Sequence, residues 1–503
     1  MYPLTTHFNK MRQNTLPPGD RLEAAKTLPP LVQAYLEGHE SFVTVCPHNR
    51  LVGSYAQKLC VGDVKDVDFL VFVKGAYEGD DMIEPKTMIA DLKRALKGLA
   101  AYLGYEEEDI TVEAARRSVH VHFKNHDFHL DVVPCIAPDG VNEPAYVPCK
   151  NLEKWVKTHP VGYIKKLDEI NAAHGYNVKR LARTMKHFVH HKMKQKNMRP
   201  KSYWLGALLL QIIDEQGFDD AMTQGELFHW LVSEIHAKYR VTLDTSTTAT
   251  PNIKDPILGH NISWNWGRNA FEMFMSRLKE AADWSADAIA DEASKEDAIE
   301  LWQKIFGSEY FPTSIEEEAK SLAQSLQPGH TCVEPSGRVV ASAFASAVAV
   351  AAPVTRFHGG KMVCHRSRRP ILSAAIQQTA VRRSFPSFRA TFHGASVTWK
   401  GKVQPRPGSP IYTLAIRYRP GRPPEVRVLR PEIRPDAPHL YPGGLLCLYW
   451  PKDRNWNSSK LIGETIIPWV AQWLLYYELW LDTGEWLGPE SPHRYPGKMD
   501  RSE

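Results

Sequence analysis

A pair of aspartates in front of an apolar strand constrains this chain more than any other feature. Residues 66–73 read DVDFLVFV, so two carboxylates stand one residue apart before a run that is apolar from Phe69 to Val73. Residues i and i+2 of a strand point the same way, so Asp66 and Asp68 face together. Adjacent carboxylates repel each other, and burying them without a partner is costly. The pattern therefore predicts a divalent cation at the start of this strand.

A third carboxylate and a Gly-Ser pair complete the predicted site. Asp131 lies in FHLDVVP, a second apolar strand pattern. If the two strands are neighbours, the three carboxylates can hold two ions roughly 3.5–4 Å apart, an arrangement that activates a hydroxyl and steadies a leaving pyrophosphate. Mg²⁺ prefers such oxygen ligands and keeps positions open for phosphate, and Mn²⁺ is the alternative. Gly53 and Ser54 would let the backbone and a hydroxyl approach the phosphates closely.

The pattern of apolar residues divides the chain into regions. Residues 40–135 alternate strand-like runs with the amphipathic helix pattern PKTMIADLKRALKGLAAYLG, and residues 152–325 show mostly helical spacing. Residues 327–380 are small and apolar, then basic, so we predict a linker there and no membrane span. Beyond 381 the pattern is typical of strands, with strict alternation over 412–418. A long aromatic helix pattern closes the chain.

The charge is distributed unevenly. The net charge of the 503 residues is +5, yet residues 356–434 carry 17 Lys or Arg against 2 Glu, a surplus of 15. The remainder therefore carries 5 − 15 = −10. Such a block can meet nucleic acid or an acidic partner, including the acidic part of the same chain, and a solvated basic face is the other reading.

The cysteines and the first residues indicate the compartment. The seven cysteines are an odd number and form no Cys-x-x-Cys pair, which argues against a disulfide framework and a cysteine zinc site. The opening MYPLTTHFNKMRQ lacks the apolar run of a signal peptide. We therefore expect a reducing, cytoplasmic setting.

The ordered motifs GSYAQ, DVDFLVFV and HLDVVP resemble the nucleotidyltransferases that include cyclic GMP-AMP synthase, oligoadenylate synthase and the bacterial CD-NTases. The resemblance continues through RLARTMKHFVHHK and RPKSYWLG to LWQKIFGSEYFP. It implies an α/β nucleotidyltransferase domain over residues 1–326. Within it, a polymerase-beta-like catalytic sheet would span residues 40–150 and a helical lobe residues 151–326.

The same resemblance implies roles for individual residues. Asp66, Asp68 and Asp131 would bind Mg²⁺, and Asp131 would also help to activate the attacking hydroxyl. Lys186 and Ser202 match positions that hold the donor triphosphate, and Tyr203 matches an aromatic residue that stacks on a base. Such proteins often carry Glu just past the Ser-Tyr pair, where this chain has Trp-Leu-Gly at 204–206. The departure leaves base selection open.

A second candidate site lies in residues 436–456, DAPHLYPGGLLCLYWPKDRNW. From these residues alone, Cys447 is either a small apolar side chain of a core or a nucleophile. The stretches TWKGKV, PIYTLAIRYRPGRPPEVRV, PHLYPGGLLCLYW and WNSSKLIGETIIPWVAQWLLYYELW, in this order, resemble the ubiquitin-conjugating fold and its shorter bacterial relatives found beside CD-NTases in antiphage operons.

This second resemblance implies an α+β domain over residues 381–503. Cys447 would form a thioester, and His439 matches the His that precedes the active cysteine. The familiar His-Pro-Asn is replaced by Pro438, His439 and Leu440, so the Asn that stabilises an oxyanion is missing. Thioester formation remains expected, whereas ligation to lysine stays open.

Together these features predict a CD-NTase of the CBASS antiphage type that makes a cyclic di- or trinucleotide from NTPs, with ATP or GTP as expected substrates. The product would act on a separate effector, and the C-terminal domain would regulate or prime the enzyme through an activating-enzyme partner or a conjugation target. One alternative is a linear oligonucleotide or tRNA-end nucleotidyltransferase. The other is a scaffold whose C-terminal domain only binds a partner.

Overall fold

The computed structural model describes residues 2–17, 19–62, 66–341, 347–350, 370–450 and 455–490. The N-terminal part is built on a five-stranded sheet, whose strand order is β1-β2-β5-β4-β3. Strands β2 and β5 are parallel, and the other neighbours are antiparallel. The strands are β1 (Thr44–Val52), β2 (Asp66–Val73), β3 (Ile110–Ala114), β4 (Val119–Phe123) and β5 (Phe128–Cys135).

Strand β2 is buried on both faces, which accounts for its continuous apolar run. Val67, Phe69 and Val71 pack in one cluster under the helices on one side of the sheet. These helices are α2 (Gly19–Glu37), α4 (Pro85–Leu96) and α5 (Leu99–Leu103), and the short α3 (Gly53–Ala56) follows β1 directly. Leu70 and Phe72 face a smaller cluster beside β6 (Ala145–Cys149) and β7 (Lys154–Thr158). Asp66 and Asp68 share this second face by strand alternation.

A helical lobe follows from Pro160 onward, whereas residues 154–158, which the sequence pattern placed in the helical region, form strand β7. It contains α6 (Pro160–Ala173), α7 (Asn177–Lys192), α8 (Ser202–Gln216), α9 (Gln224–Thr245), α10 (Arg268–Ile289) and α11 (Lys295–Phe306). Helix α9 begins at a capping box, in which Thr223 and Glu226 satisfy each other's backbone N–H groups. The early helix α1 (Thr5–Asn14) completes this lobe, since Phe8 packs edge-on against Trp302 and Phe311.

Among the described residues of the segment predicted as a linker, 327–380, several form short strands and pack in a core, so a linker does not describe these positions. Helix α12 (Glu316–Ser325) leads into three short paired strands, β8 (Cys332–Val333), β9 (Val339–Val340) and β10 (Val348–Ala349). Val333, Val339 and Val350 are buried in the core of the C-terminal domain. Their side chains cover apolar surface there, which the irregular spacing of this segment did not reveal. Residues 342–346 and 351–369 lie outside the described residues.

The C-terminal domain combines an antiparallel meander with one buried helix. After α13 (Ala374–Ser384), the meander runs through β11 (Arg389–His393), β12 (Ser396–Val403), β13 (Tyr412–Tyr418) and β14 (Glu425–Arg430). The small hairpin of β15 (Leu440–Tyr441) and β16 (Leu445–Leu446) precedes α14 (Ile466–Thr483). These elements confirm the strand and helix patterns predicted after residue 381. Helix α14 is buried along nearly its whole length, because it lies between the meander, α12 and α1.

The two parts of the molecule share a charged interface. At its buried centre, the guanidinium of Arg406, from the loop between β12 and β13, forms ion pairs within the C-terminal domain, with Glu478 at 2.7 Å and with Asp482 at 3.1 Å. The same guanidinium donates a 2.8 Å hydrogen bond to the hydroxyl of Thr6 in α1. At the exposed edge, the basic side chains of Lys402 and Arg430 face Asp220 and Asp219. The basic block thus contacts acidic residues of the helical lobe.

Among the described residues, no helix combines the length and the apolar composition that crossing a membrane requires.

Candidate functional site

The parallel pairing of β2 with β5 brings the predicted carboxylates together. Asp68 lies directly opposite Asp131 in the register, and Asp66 lies opposite His129. Asp66 is exposed, whereas Asp68 and Asp131 are half-buried. The predicted strand neighbourhood is therefore confirmed.

The electrostatics of the carboxylates show a site that is short of positive charge. Burial, together with repulsion from the nearby Asp131 and Asp66, raises the pKa of Asp68 to about 6. Burial also raises the pKa of Asp131, although His120 opposes this shift. The Nδ1 of His120 lies 2.5 Å from Oδ1 of Asp131. The clustered oxygen donors fit a hard divalent cation such as Mg²⁺, which would relieve the repulsion.

Gly53 is required for the chain to pass this close to Asp68. Its φ is +67°, in the left-handed region that favours glycine. A Cβ built on Gly53 would lie 1.8 Å from Oδ2 of Asp68 and would collide with it. The neighbouring Ser54 accepts a 3.1 Å hydrogen bond from Nζ of Lys186, which also donates to the carbonyl of Leu59 at 2.9 Å. Lys186 is buried, and this burial lowers its pKa.

A cavity of about 690 Å³ opens beside Asp131, towards the start of α8. Tyr203 lines it, donates a 2.8 Å hydrogen bond from its hydroxyl to Asp255, and packs edge-on against Tyr163. Ser202 is exposed at the first residue of α8 and is not among the described residues that line the cavity. The structure therefore brings Tyr203 to the predicted site and leaves Ser202 beside it.

A second group of possible metal ligands, near β4 and β5, has its ligand atoms closer together than the three aspartates do. Among the described residues, His122, Asp127 and His129 form a trio whose ligand atoms all lie within 4.8 Å of one another, which the three aspartates do not. The rings of His122 and His129 stack at 4.0 Å across β4 and β5. Arg21 forms an ion pair with Asp127, so this carboxylate already has a cationic partner.

In the C-terminal domain, Cys447 is buried just after β16. Its backbone N–H donates a 2.9 Å hydrogen bond to the carbonyl of His439, so the structure brings the two predicted residues together. The His439 side chain is also buried, with Nε2 at 2.9 Å from the Glu490 carboxylate and its ring 4.7 Å from that of Trp486. The segment after α14 thus lies against the His439 side of this site.

Comparison with protein families decides what the two parts are. Residues 3–171 match the model of the Second Messenger Oligonucleotide or Dinucleotide Synthetase domain, and residues 377–494 match that of the Type II CBASS E2 protein. The chain joins a CD-NTase domain to an E2-like CBASS domain. The nucleotidyltransferase fold and the conjugating-like fold expected from the sequence are confirmed.

Individual relatives of the CD-NTase domain are distant. A probable cyclic AMP-AMP-GMP nucleotide synthase of Salmonella paratyphi B is 26% identical over 171 residues, which are 34% of this chain and 43% of that protein. The chain therefore matches less than half the length of this curated relative. Solved structures that are similar include Escherichia coli MS115-1 CdnC with ATP, at 16% identity and a TM-score of 0.47, covering 61% of this chain and 98% of that one. Another is the Bradyrhizobium diazoefficiens CD-NTase CdnG with GTP, at 14% identity and a TM-score of 0.46, covering 62% and 97%.

Several residues of the CD-NTase cavity were missed by the sequence interpretation. They are His120, Asp255 and a basic group made of Arg116, Arg117, Lys154, Lys157 and Lys201. The Arg-Arg pair between β3 and β4 was visible as a local basic signal. Asp255 lies 52 residues from Tyr203, so no short motif links the two.

Proposed function

We propose that the chain synthesises a cyclic di- or trinucleotide from NTPs and that the product acts on a separate effector in antiphage defence. The observation that carries this proposal is the cross-strand pair of Asp68 and Asp131, with Gly53 packed against Asp68. The basic cavity beside Asp131 supports it, because a triphosphate needs positive charge. The activity in the name of the Salmonella relative, a probable cyclic AMP-AMP-GMP nucleotide synthase, agrees with it.

CD-NTases use divalent metal ions, and Asp66, Asp68 and Asp131 are the residues that would hold Mg²⁺ here. When bound, the ions supply activation of a hydroxyl and stabilisation of the leaving pyrophosphate. Asp131 would accept the proton of the attacking ribose hydroxyl, and His120, which contacts it, would stabilise the carboxylate.

The protein's other groups would bind and orient the donor nucleotide. Gly53, Ser54 and Lys186 form a connected group beside Asp68, which suits the donor triphosphate. Tyr203 presents a ring to the cavity while Asp255 fixes its hydroxyl, which suits stacking on a base. We assign Ser202, exposed at the start of α8, to the same triphosphate, where its replacement by Ala should mainly raise KM.

Product analysis tests this function. The chain is incubated with the four NTPs and Mg²⁺ or Mn²⁺, and the products are treated with phosphatase and identified by mass spectrometry. A phosphatase-resistant cyclic product is expected, since a ring has no terminal phosphate. A phosphatase-sensitive linear product, or a nucleotide added to tRNA, would favour the alternative polymerase instead.

For the E2-like domain, we propose that Cys447 accepts an acyl group by thiol exchange. Its thiolate attacks the thioester carbonyl of an activating protein, the new Cys447 thioester forms, and the partner's thiol leaves with the proton. A nucleophilic cysteine needs access, whereas Cys447 is buried. We therefore assign Trp486 and Glu490 a covering role, because both contact the neighbouring His439.

Alkylation of Cys447 measures this access. Trp486→Ala with Glu490→Gln should increase the rate of Cys447 alkylation by iodoacetamide at least several-fold, followed by peptide mass spectrometry. The exposed Cys46 provides an internal reference whose rate should not change. An unchanged Cys447 rate would contradict the covering role. Equal cellular defence by the unmodified chain and Cys447→Ser would favour the scaffold alternative.

A further inference from the structure

A second cavity, of about 720 Å³, lies at the interface between the two domains. Helices α1, α7 and α12 form its walls together with the loop between β12 and β13. This volume is within the usual range for small-molecule sites, which occur preferentially between domains. The cavity is separate from the one beside Asp131 and shares none of its lining residues.

The lining of this interdomain cavity is strongly basic. Its basic residues are Lys10, Arg12, Arg180, Arg183 and Arg406, and its acidic residues are Glu317 and Glu318. The lining therefore carries 5 − 2 = +3 charges. Glu318 is occupied by Lys10 at 2.6 Å, and Arg406 is compensated by carboxylates of α14. The excess positive charge rests on Arg12, Arg180 and Arg183.

These three arginines are held close together without acidic partners. Arg180 and Arg183 are three residues apart on one face of α7, and Nη2 of Arg183 donates to the carbonyl of Arg12 at 3.4 Å. Within the described part of the chain, no carboxylate forms an ion pair with any of the three. Among the described residues, the Arg12 guanidinium donates to the neutral side chains of Gln224 and Asn9.

Burial and mutual repulsion make the group costly. Arg12 is buried, and desolvation followed by repulsion from Arg180, Arg183 and Arg406 lowers its guanidinium pKa. The Nε atoms of Arg180 and Arg183 are buried, and no described group accepts a hydrogen bond from either. Unsatisfied buried charged donors cost free energy unless a ligand accepts from them.

We propose that this interdomain cavity binds a phosphate-rich anion of nucleotide size. Guanidinium groups match phosphate oxygens with two parallel hydrogen bonds, so Arg180 and Arg183 would direct their free N–H groups to neighbouring phosphates. Arg12 would supply further positive charge from α1. The ligand would contact the CD-NTase domain through α7 and the E2-like domain through the β12–β13 loop, and would thereby tie the two domains together.

Calorimetric titration with inorganic triphosphate in EDTA tests this proposal. The full chain carries Lys186→Met, which removes the ammonium assigned to the donor triphosphate, and the part of the remaining binding that depends on Arg180 and Arg183 reports the interdomain cavity. Adding Arg180→Gln with Arg183→Gln should weaken this binding at least tenfold. Arg277→Gln is the matched control, because Arg277 lies on α10 outside both cavities and pairs with Glu280. The control should leave the affinity unchanged.

The outcomes separate clearly. Absence of triphosphate binding by the Lys186→Met chain, or an unchanged affinity in the double Gln variant, would overturn the proposal. If the double Gln variant does not fold by circular dichroism, Arg180→Lys with Arg183→Lys replaces it. That variant keeps the charge but loses the paired N–H geometry, so its affinity should still fall several-fold, and an unchanged value overturns the proposal. No nucleotide is made in EDTA, so the result does not depend on the proposed synthesis.

Discussion

Asp68 and Arg406 are both charged side chains withdrawn from water, yet their surroundings differ. The charged groups that shift the pKa of Asp68 are other carboxylates, those of Asp131 and Asp66, whereas Arg406 is paired with Glu478 and Asp482. A compensated group of charges can stay buried, because attraction between the partners offsets the cost of removing them from water. A group of like charges is costly until an ion of opposite charge arrives, and such groups concentrate at functional sites. The contrast separates the candidate catalytic centre from the structural contact.

The largest expected effect lies in the uncompensated group. Asp66→Asn with Asp68→Asn removes two anionic metal ligands at constant size, so nucleotide synthesis should fall by about a thousandfold or more. Mass spectrometric product yield from NTPs and Mg²⁺ measures it. Asp80→Asn with Asp81→Asn is the matched control in an exposed loop and should keep full yield. Near-normal synthesis by the Asp66 and Asp68 variant would show that the metal assignment is wrong.

Changing the compensated group, Arg406 with its two carboxylates, should lower the stability of the fold. Arg406→Met leaves Glu478 and Asp482 buried without their cation, so the free energy of unfolding should fall by about 3–5 kcal/mol. Urea denaturation followed by tryptophan fluorescence measures the change. Arg417→Met is the control, since Arg417 is exposed on β13 and should change stability by less than about 0.5 kcal/mol. If Arg406→Met and Arg417→Met lower the free energy of unfolding equally, the buried ion pairs of Arg406 do not have the structural role assigned to them.

The raised pKa of Asp68 makes stability depend on pH in a defined direction. Because its folded-state pKa is about 6, above the ordinary 3.8, the Asp68 contribution is full below about pH 4 and is lost as pH rises through 6. Asp68→Asn removes this loss, so in EDTA at pH 8 it should stabilise the chain by on the order of 1–3 kcal/mol.

Thermal denaturation of both forms between pH 4.5 and 8 provides the comparison for Asp68. Adding Mg²⁺ at pH 8 should stabilise the unmodified chain more than the Asn variant, because bound ions stabilise only the form that binds them. If the thermal stability of the two proteins changes with pH in parallel, the Asp68 carboxylate is not destabilised by its neighbours as inferred.

The smallest effect is expected at the exposed edge of the domain interface. Lys402 pairs with Asp220 at 2.9 Å, but its side chain is 59% exposed. Lys402→Ala should therefore lower the free energy of unfolding by less than about 1 kcal/mol, and added salt should reduce the difference. Urea denaturation at low and high salt measures it, with Lys400→Ala on the same strand as the control. A loss as large as that for Arg406→Met would contradict the role assigned to burial.

Periodicity and local motifs were sufficient for the strands and for the carboxylates. The alternation around Asp68 and the apolar setting of Asp131 predicted neighbouring strands, because strand geometry fixes which residues face together. The roles expected for Lys186 came from family resemblance, and only the fold showed that its ammonium reaches Ser54. The partners of Arg406 had no sequence signal, since Thr6 lies 400 residues away and compensation of a buried charge leaves no periodic pattern.

The irregular segment after residue 327 was misread for a related reason. Its small residues show neither helical nor strand spacing, yet Val333 and Val339 fill space against the meander and α14. Whether an apolar side chain is buried depends on the surface opposite it, and that surface is built by residues far along the chain. Spacing within the segment carried no information about it.

The contact of α1 with α14 closes the molecule into a ring. Thr6 donates hydrogen bonds to Asp482 from both its backbone and its hydroxyl, so elements from opposite ends of the described chain are fastened together. A protease cut between residues 327 and 380 would break the chain between the two domains. The contact of α1 with α14 would still hold the two fragments together. The two fragments would appear separately on a denaturing gel while still migrating as one particle through a sizing column.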